Sequence, residues 1–467
     1  MESRAVEFLE SVPFDQIRIG QQASLTRRLG MQEIKLFAVA TGGAVPVPLE
    51  GAEGAVDGQP GDELWAAGLL SALIATQLPG PGSRLLSQSL EFPAHPQLAD
   101  QVTVTVTVTA KELTSRRVTL RCTGVNQEGE TVLSGEAQVL AAAERLRRPR
   151  AAPPEVRLSE HSDLQRLMKA AAQHPPLATA VVHPVDRVSL QGALAAARAQ
   201  LITPILVGPE RRIRATAQGE GVDLGDYRLV DTEHSHAAAE AAVALARAGE
   251  VGAVMKGSLH TDELLAAALA KDTGLRTDRR ASHVFAFDVP AYPRPLFITD
   301  AAINIYPDLD TKRDIVQNAV ELAHALGIQR PKVAILSAVE TVTPKIHSTL
   351  DAAALCKMAD RGQITGAILD GPLAFDNAVS AAAAETKGIV SPVAGQADIL
   401  LVPDLESGNM LAKQLEYLAG AEAAGIVLGT RVPIILTSRA DGTVSRMASC
   451  ALAVMLSQHR RRTRPQL

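Results

Sequence analysis

The stretch AAAERLRRPRAAPPEVRLSE, residues 141–160, separates two parts of the chain that obey different periods. Its basic cluster and three prolines suit neither a helix interior nor a sheet ladder, so we place a linker over 146–156. Upstream, apolar and polar residues alternate one for one. Downstream, short apolar runs alternate with alanine-rich stretches. The fold is read outward from this break.

On the upstream side, DQVTVTVTVTAKE (100–112) alternates valine with threonine, which gives a strand one apolar and one hydroxyl face. RRVTLRCTGVNQEG (116–129) and ETVLSGEAQVLAA (130–142) follow as two more strands about a Gln-Glu-Gly turn. Earlier, LWAAGLLSALIATQLPG (64–80) reads as one apolar helix stopped by Pro79-Gly80. One buried helix followed by three or four antiparallel strands is an α+β domain, set at 1–145. Within it FAVATGGAVPVPLEGAEG (37–54) has the shape of a site loop, yet its ionisable side chains are Glu50 and Glu53 alone.

On the downstream side, TAVVHP, PILVG, AVMKG, LFITD, KVAILS, AILDG, DILLVPD and PIILTS read as strands. Between them lie helices such as HAAAEAAVALARAGE, TKRDIVQNAVELAHALG and SGNMLAKQLEYLAGA. Repeated βαβ units predict a largely parallel sheet, and residues 157–467 are expected to form two α/β lobes facing across a cleft.

Composition narrows the function classes. With aromatics at 3% and a formal net charge of -5, neither base stacking nor phosphate-backbone binding is expected, so no nucleic-acid partner. Cys122, Cys356 and Cys450 are scattered and odd in number, which points to a reducing compartment. MESRAVEFLE carries no apolar signal core, and no apolar run reaches membrane-spanning length. The expectation is a soluble, cytoplasmic protein.

Ligands of open α/β sheets bind beyond the carboxyl ends of the strands, and polar, glycine-bearing loops recur there. Lys256 and Gly257, with Ser258, could open an anion site, although no Walker A motif precedes them. Thr299 and Asp300 end another strand, and Ser337 and Glu340 a third. Asp370, Gly371 and Pro372 end a fourth, and Ser407, Gly408 and Asn409 open a helix after a fifth. Each loop alone is more often turn or cap chemistry than catalysis; together they can converge on one cleft. Arg280 and Ser282 complete the binding candidates. The last loop is the most chemical: Thr437-Ser438-Arg439 with Asp441 two residues on. An arginine there suits a phosphate or a developing oxyanion, with a hydroxyl and a carboxylate beside it. The histidines form no metal constellation: His234 and His236 introduce a helix on the solvent side, and His183 reads as a loop histidine.

Taken together, TDAAINIYPDLDTKRDIVQNA, LSAVETVTPKI, DGPLAFDNAVS, AGQADILLVPDLESGNMLAKQL and PIILTSRADG resemble, in order, the signature blocks of the phosphate acetyl/butyryl transferases. The resemblance runs from about Leu158 to Met455, and the Leu-Thr-Ser-Arg-Ala-Asp form looks closer to the butyryl branch. It implies transfer of a short acyl group between coenzyme A and phosphate, giving acyl phosphate. It also implies a two-lobed fold related to isocitrate and isopropylmalate dehydrogenases, no cofactor beyond coenzyme A as substrate, no metal, and a homo-oligomer, dimer or higher. The family's conserved serine and arginine fall on Ser438 and Arg439. The aspartate of acetyl-specific members falls on Ser445, so Asp441 stands in as the base.

The first domain resembles a MaoC-like hot-dog domain of the (R)-specific enoyl-CoA hydratase type. Aligned to that family's Gly-Asp-x-Asn-Pro-aliphatic-His loop, GGAVPVP puts Gly43 at the aspartate, Val45 at the asparagine and Pro48 at the histidine. Should the alignment slip, His95 and Asp62 are the nearby substitutes. The leading expectation is therefore a phosphate acyltransferase fused to a hot-dog domain without its acid–base pair. A bifunctional hydratase–acyltransferase and a non-catalytic coenzyme A-binding scaffold stand as alternatives. A dehydrogenase is disfavoured because no G-x-G-x-x-G follows a strand.

Overall fold

The computed structural model describes residues 8–42, 63–150, 156, 162–225, 227–437 and 441–463. The chain divides into two compact units, Met1–Leu158 and Ser159–Leu467.

In the first unit β1 (Phe8–Glu10), β2 (Gln22–Arg28), α1 (Met31–Thr41) and α2 (Glu63–Thr76) precede β3 (Arg84–Glu91) and β4 (Gln101–Glu112). β5 (Arg117–Val125), β6 (Thr131–Leu140) and β7 (Arg147–Pro149) complete it. The sheet has five antiparallel strands in the order β2-β4-β5-β6-β3, one or two more than the sequence pattern predicted. The two unforeseen strands are its edges. β2 only half-buries Ala23 and Leu25, and β3 is exposed almost throughout, so neither shows the full alternation that marked β4. Val102, Val104, Val106 and Val108 turn inward against Trp65, Leu70, Leu73 and Ile74 of α2. A single apolar helix wrapped by an antiparallel sheet is the hot-dog architecture.

Two further points bear on the sequence reading. β7 pairs with β1, and the Arg147 guanidinium sits 3.7 Å above the Phe8 ring, so Arg147–Pro149 belongs to the first unit rather than to a linker. Helix α1 ends at Gly42, whose left-handed φ of 70° stops it. Gly43, Val45, Pro48 and Asp62 lie outside the described residues. His95, the other substitute, meets Glu63 at the start of α2.

The second unit largely alternates helices and strands. Its first half holds α3 (Ser162–Ala171), β8 (Leu177–Val182), α4 (Arg187–Arg198), β9 (Ile202–Gly208), α5 (Glu210–Gly219), β10 (Leu229–Asp231), α6 (Ser235–Arg247), β11 (Ala253–Lys256) and α7 (Thr261–Ala268). The second half begins with β12 (Ser282–Asp288), β13 (Leu296–Thr299), α8 (Leu309–Ala325), β14 (Lys332–Leu336) and α9 (His347–Asp360). β15 (Ile368–Leu373), α10 (Phe375–Val379), α11 (Ala381–Thr386), β16 (Ile399–Leu401) and α12 (Leu405–Leu418) follow. β17 (Glu422–Leu428), β18 (Ile434–Ile435) and α13 (Thr443–Thr463) return the chain to the first half.

The two expected lobes share one sheet instead of each owning one. Its 11 strands run β10-β9-β8-β11-β18-β17-β12-β13-β16-β14-β15. β8, β9, β10, β11 and β18 are parallel, and so are β13, β14, β15 and β16. Between the groups lie three successive antiparallel pairings, β18–β17, β17–β12 and β12–β13. Three reversals leave the two parallel groups pointing in opposite directions. β12 and β17 were not among the strands read from the sequence: β12 opens on the polar Ser282 and His283, and β17 is rich in alanine and glycine.

Candidate active site

The carboxyl ends of β8, β11 and β18 emerge side by side at one edge of the sheet. β8 runs into His183, which is buried and takes a left-handed φ of 54°. Its Nδ1 lies 2.7 Å from the Ser258 carbonyl oxygen. A carbonyl only accepts, so Nδ1 carries a proton, and in the neutral ring Nε2 is the acceptor. Three residues on, Asp186 caps α4, accepting the Ser189 N–H at 2.8 Å and the Ser189 hydroxyl at 2.7 Å.

β11 ends in Lys256, which is buried, followed by Gly257 and Ser258. A Cβ on Gly257 would stand 2.3 Å from the Val182 carbonyl oxygen, so only glycine lets the two turns approach. The Ser258 N–H then donates to the His183 carbonyl at 2.9 Å. Burial opposes ionisation of Asp186. The Ser189 N–H, the Ser258 and Ser189 hydroxyls and the Arg446 guanidinium more than offset it, holding the carboxyl below its ordinary range.

β18 leads to Thr437, and the Ser438 and Arg439 that follow lie outside the described residues. The chain resumes at Asp441, part-exposed, just ahead of α13. Arg446, one turn into that helix and only 4% exposed, ties both flanks together. It donates from Nη1 to the Thr437 hydroxyl at 2.8 Å and from Nε to the Asp441 carbonyl at 3.3 Å. Its stem lies against Gly192 of α4, where a Cβ would come within 2.6 Å of its Cδ. Burial works against the charge of Arg446, and the Asp441 and Asp186 carboxylates support it. Lys256, Gly257 and Asp441 are thus gathered at one edge, around the ends of the Ser438–Arg439 segment.

The remaining candidates belong to the opposite edge, because the second half of the sheet runs the other way. The expectation that all the loops converge within one chain therefore gives way to two groups. Around the end of β13, Thr299 donates its hydroxyl to the His283 carbonyl at 2.8 Å. The buried Asp300 carboxylate accepts the Ala302 and Ile303 N–H groups at 3.0 and 3.1 Å and the Asn304 amide at 2.6 Å. Burial pushes its carboxyl up against those bonds. Asp300 thus folds its own loop. Arg280 is exposed and reaches Asn304 Oδ1 at 3.4 Å, while the buried Ser282 hydroxyl accepts from Asn318 at 2.9 Å.

After β16, Ser407 returns both its N–H and its hydroxyl to the Asp404 carboxylate at 2.8 Å, which caps α12. Gly408 lets α12 approach the β13 loop, and Asn409 donates to the Ala301 carbonyl at 3.3 Å. Further out, Ser337 pairs with Ser348 at 2.8 Å, and Glu340 is held by Lys387 and Asn377. Asp370 accepts the Gly371 N–H at 2.8 Å, and a Cβ on Gly371 would meet the Ile335 carbonyl oxygen at 2.7 Å. Pro372 follows within β15. Most of these polar groups are occupied by their own loops.

Two residues escaped the sequence reading. Asp186 carried a signal: Asp-Arg-Val-Ser is a helix-start pattern. Arg446 carried another, standing in helical phase with the buried Cys450 and Ala453 on an apolar face. His183 was weighed and set down as a loop histidine. Among the described residues no three His, Cys, Asp or Glu side chains are grouped to hold a metal ion.

Comparison with known proteins agrees with the resemblance read from the loops. Residues 235–454 match the family "Phosphate acetyl/butaryl transferase". The chain is 61% identical over 303 residues to a phosphate acetyltransferase of Rhizobium meliloti, covering 65% of this chain and 96% of that protein. It is 43% identical over 295 residues to a phosphate butyryltransferase of Clostridium acetobutylicum, covering 63% of this chain and 94% of that one. The acetyl branch is therefore nearer, against the hint of the short terminal block. The N-terminal part is similar to the R-hydratase PhaJ1 from Pseudomonas aeruginosa, at 31% identity over 33% of this chain and 100% of that one, with a TM-score of 0.31. With its second unit covering nearly the whole of a curated relative at such identity, the chain belongs to the phosphate acetyl/butyryl transferase family.

Proposed function

We propose that this phosphate acyltransferase works at the edge formed by β8, β11 and β18, moving a short acyl group between coenzyme A and inorganic phosphate. The observation that carries the placement is the tie from Arg446 to Thr437 and Asp441, which holds both flanks of Ser438–Arg439 against Lys256, Gly257 and Asp186. Both substrates are anionic. Arg439 would take the phosphate or the thioester carbonyl through its planar fork, with Lys256 adding charge, and Ser438 would hold the coenzyme A sulfur. Placing the two substrates in line supplies much of the acceleration without a covalent intermediate.

The reaction needs a group to take the thiol proton. Asp441 is one candidate, and with Asp186 its carboxylate supports the charge of the Arg446 guanidinium. His183 is the second: its Nδ1–H is directed at the Ser258 carbonyl, so in the neutral ring Nε2 is the nitrogen that accepts a proton. Loss of turnover in His183→Gln with turnover kept in Asp441→Asn would favour the histidine, and the reverse the aspartate.

The first unit we read as a hot-dog domain extending through Pro149, which serves coenzyme A binding, docking or assembly. The three cysteines are free and none is exposed, in keeping with a cytoplasmic setting. Met410, Tyr417 and Leu418 stand exposed on α12, which suits a homo-oligomer.

The deciding experiment measures phosphate-dependent release of coenzyme A from acetyl-, propionyl- and butyryl-CoA, for the wild type beside Arg439→Ala. Acetyl-CoA is expected to turn over fastest, and the substitution to lose about 100-fold to 1,000-fold. Equal rates in both proteins would remove Arg439 from the chemistry.

A further inference from the structure

A cavity of about 590 Å³ opens at the edge of the sheet opposite the carboxyl ends of β8, β11 and β18. It lies where the turns entering β11, β12 and β18 meet helix α8 and the last turns of α13. Its charged lining sets Arg279, Arg431, Arg460 and Arg461 against Glu250, Asp278 and Glu321. Glu250 is already bound at 2.7 Å by Arg228, from outside the cavity. Glu321 lies between two of the arginines, accepting from Arg460 Nε at 3.0 Å and from Arg279 Nη1 at 3.3 Å. One carboxylate cannot neutralise two guanidinium groups. Arg431 and Arg461, both exposed, have no carboxylate within ion-pair distance among the described residues. The cavity is therefore left with an excess of positive charge.

A second, independent feature sits in the same wall. Asn318 is fully buried, and its Nδ2 donates to the Arg280 carbonyl and to the Ser282 hydroxyl, each at 2.9 Å. Those partners fix the amide, because the flipped form would set two carbonyl oxygens against each other. Oδ1 is left without a hydrogen-bond partner, and Asn318 lines the cavity. A buried acceptor left empty is costly, so the site asks for a donor.

We propose that this cavity is a second ligand site, distinct from the acyl-transfer edge, for a small phosphorylated molecule that carries hydroxyl groups. The phosphate lies against Arg431 and Arg461, where a planar fork can give two parallel bonds, and a hydroxyl donates to Asn318 Oδ1. The volume falls in the usual range of small-molecule sites. A sugar phosphate and a nucleotide share this chemistry. The occupant also acts on the amide that holds Arg280 and Ser282, at the entry to β12. That this is a second site rests on the reading that acyl transfer takes place at the edge formed by β8, β11 and β18, and probe binding is measured apart from turnover.

The test is calorimetric titration of the full chain, saturated with coenzyme A, with ribose 5-phosphate and with ADP as separate probes and methyl phosphate as the probe without a hydroxyl. At least one hydroxyl-bearing probe is expected to bind at one equivalent per chain, and about tenfold or more tighter than methyl phosphate. The double variant Arg431→Gln/Arg461→Gln is expected to weaken it at least about tenfold while leaving phosphate-dependent coenzyme A release unchanged. Whichever probe binds tells the two sources apart. The proposal is overturned if neither probe binds the coenzyme A-saturated chain, if methyl phosphate binds equally well, or if the double variant binds as the wild type does.

Discussion

Arg446 and Thr437 are joined by a 2.8 Å hydrogen bond between two buried side chains. It ties the end of β18 to the first turn of α13 across the segment that carries Ser438 and Arg439. Removing the guanidinium would leave the Thr437 hydroxyl and the Asp186 carboxylate short of a partner. Arg446→Ala is therefore expected to cost about 3 kcal/mol or more of stability, and to reduce turnover more than it raises KM. Arg446→Lys keeps the charge but loses the fork, and should recover stability better than rate. Denaturant unfolding and coenzyme A release kinetics check both. A variant that folds normally and turns over normally would leave this arginine no role in shaping the site.

Gly257 makes a sharper geometric claim. Its added Cβ would lie 2.3 Å from the Val182 carbonyl oxygen and 3.0 Å from that of His183, and neither is a flexible side chain. Gly257→Ala must push β11 away from β8 at the place where their loops meet. A loss of about 1–3 kcal/mol is expected, with KM for phosphate raised. Thermal unfolding and phosphate titration together distinguish this from a loss of turn stability alone, which would leave KM unchanged.

How much of this was legible in the sequence depends on what carried a period. β4 was plain because Val102, Val104, Val106 and Val108 all face one core, and α2 was plain because it is apolar throughout. β12 and β17 were invisible because Ser282 and His283 open the one with polar residues and alanine and glycine dilute the other, and they reverse the sheet. Missing them hid the fact that Asp300 and Lys256 stand at opposite edges. The blocks of the second unit were legible as a family because polar residues end several strands in a set order. Their separate roles were not legible: whether Asp300 meets a substrate or folds its own loop depends on backbone N–H groups that no pattern reveals.

The first unit supports a prediction of absence. With Gly43 and Pro48 where a hydratase loop would carry its aspartate and histidine, the full chain is expected not to hydrate crotonyl-CoA. Of the two substitutes the sequence offered, His95 and Asp62, His95 is among the described residues, where its Nδ1 meets the Glu63 carboxylate. Absorbance of the enoyl thioester follows the reaction directly. Turnover abolished by His95→Gln would show that this pair took over the chemistry, and turnover indifferent to it would show that the loop had been misaligned.

The last prediction concerns acid stability and rests on His283. The ring is buried on β12, 4.3 Å from the Phe285 ring, and its Nδ1 has no hydrogen-bond partner. Burial pulls its pKa down to about 3, so it stays neutral in the folded protein at ordinary pH. In the unfolded chain the same ring titrates near 6.5. Below that value the unfolded state binds a proton that the folded state refuses, and stability falls as pH falls towards 3. Above it the two states hold the same proton and the group is silent. The linkage amounts to about 2 kcal/mol between pH 6.5 and pH 5. His283→Leu, close in volume and unable to ionise, is expected to remove that part of the slope while leaving the neutral-pH melting temperature within a few degrees. Urea unfolding of both proteins at pH 7, 6 and 5 measures it. Parallel pH profiles would mean that the ring is protonated in the folded state, and so less buried than its place on β12 requires.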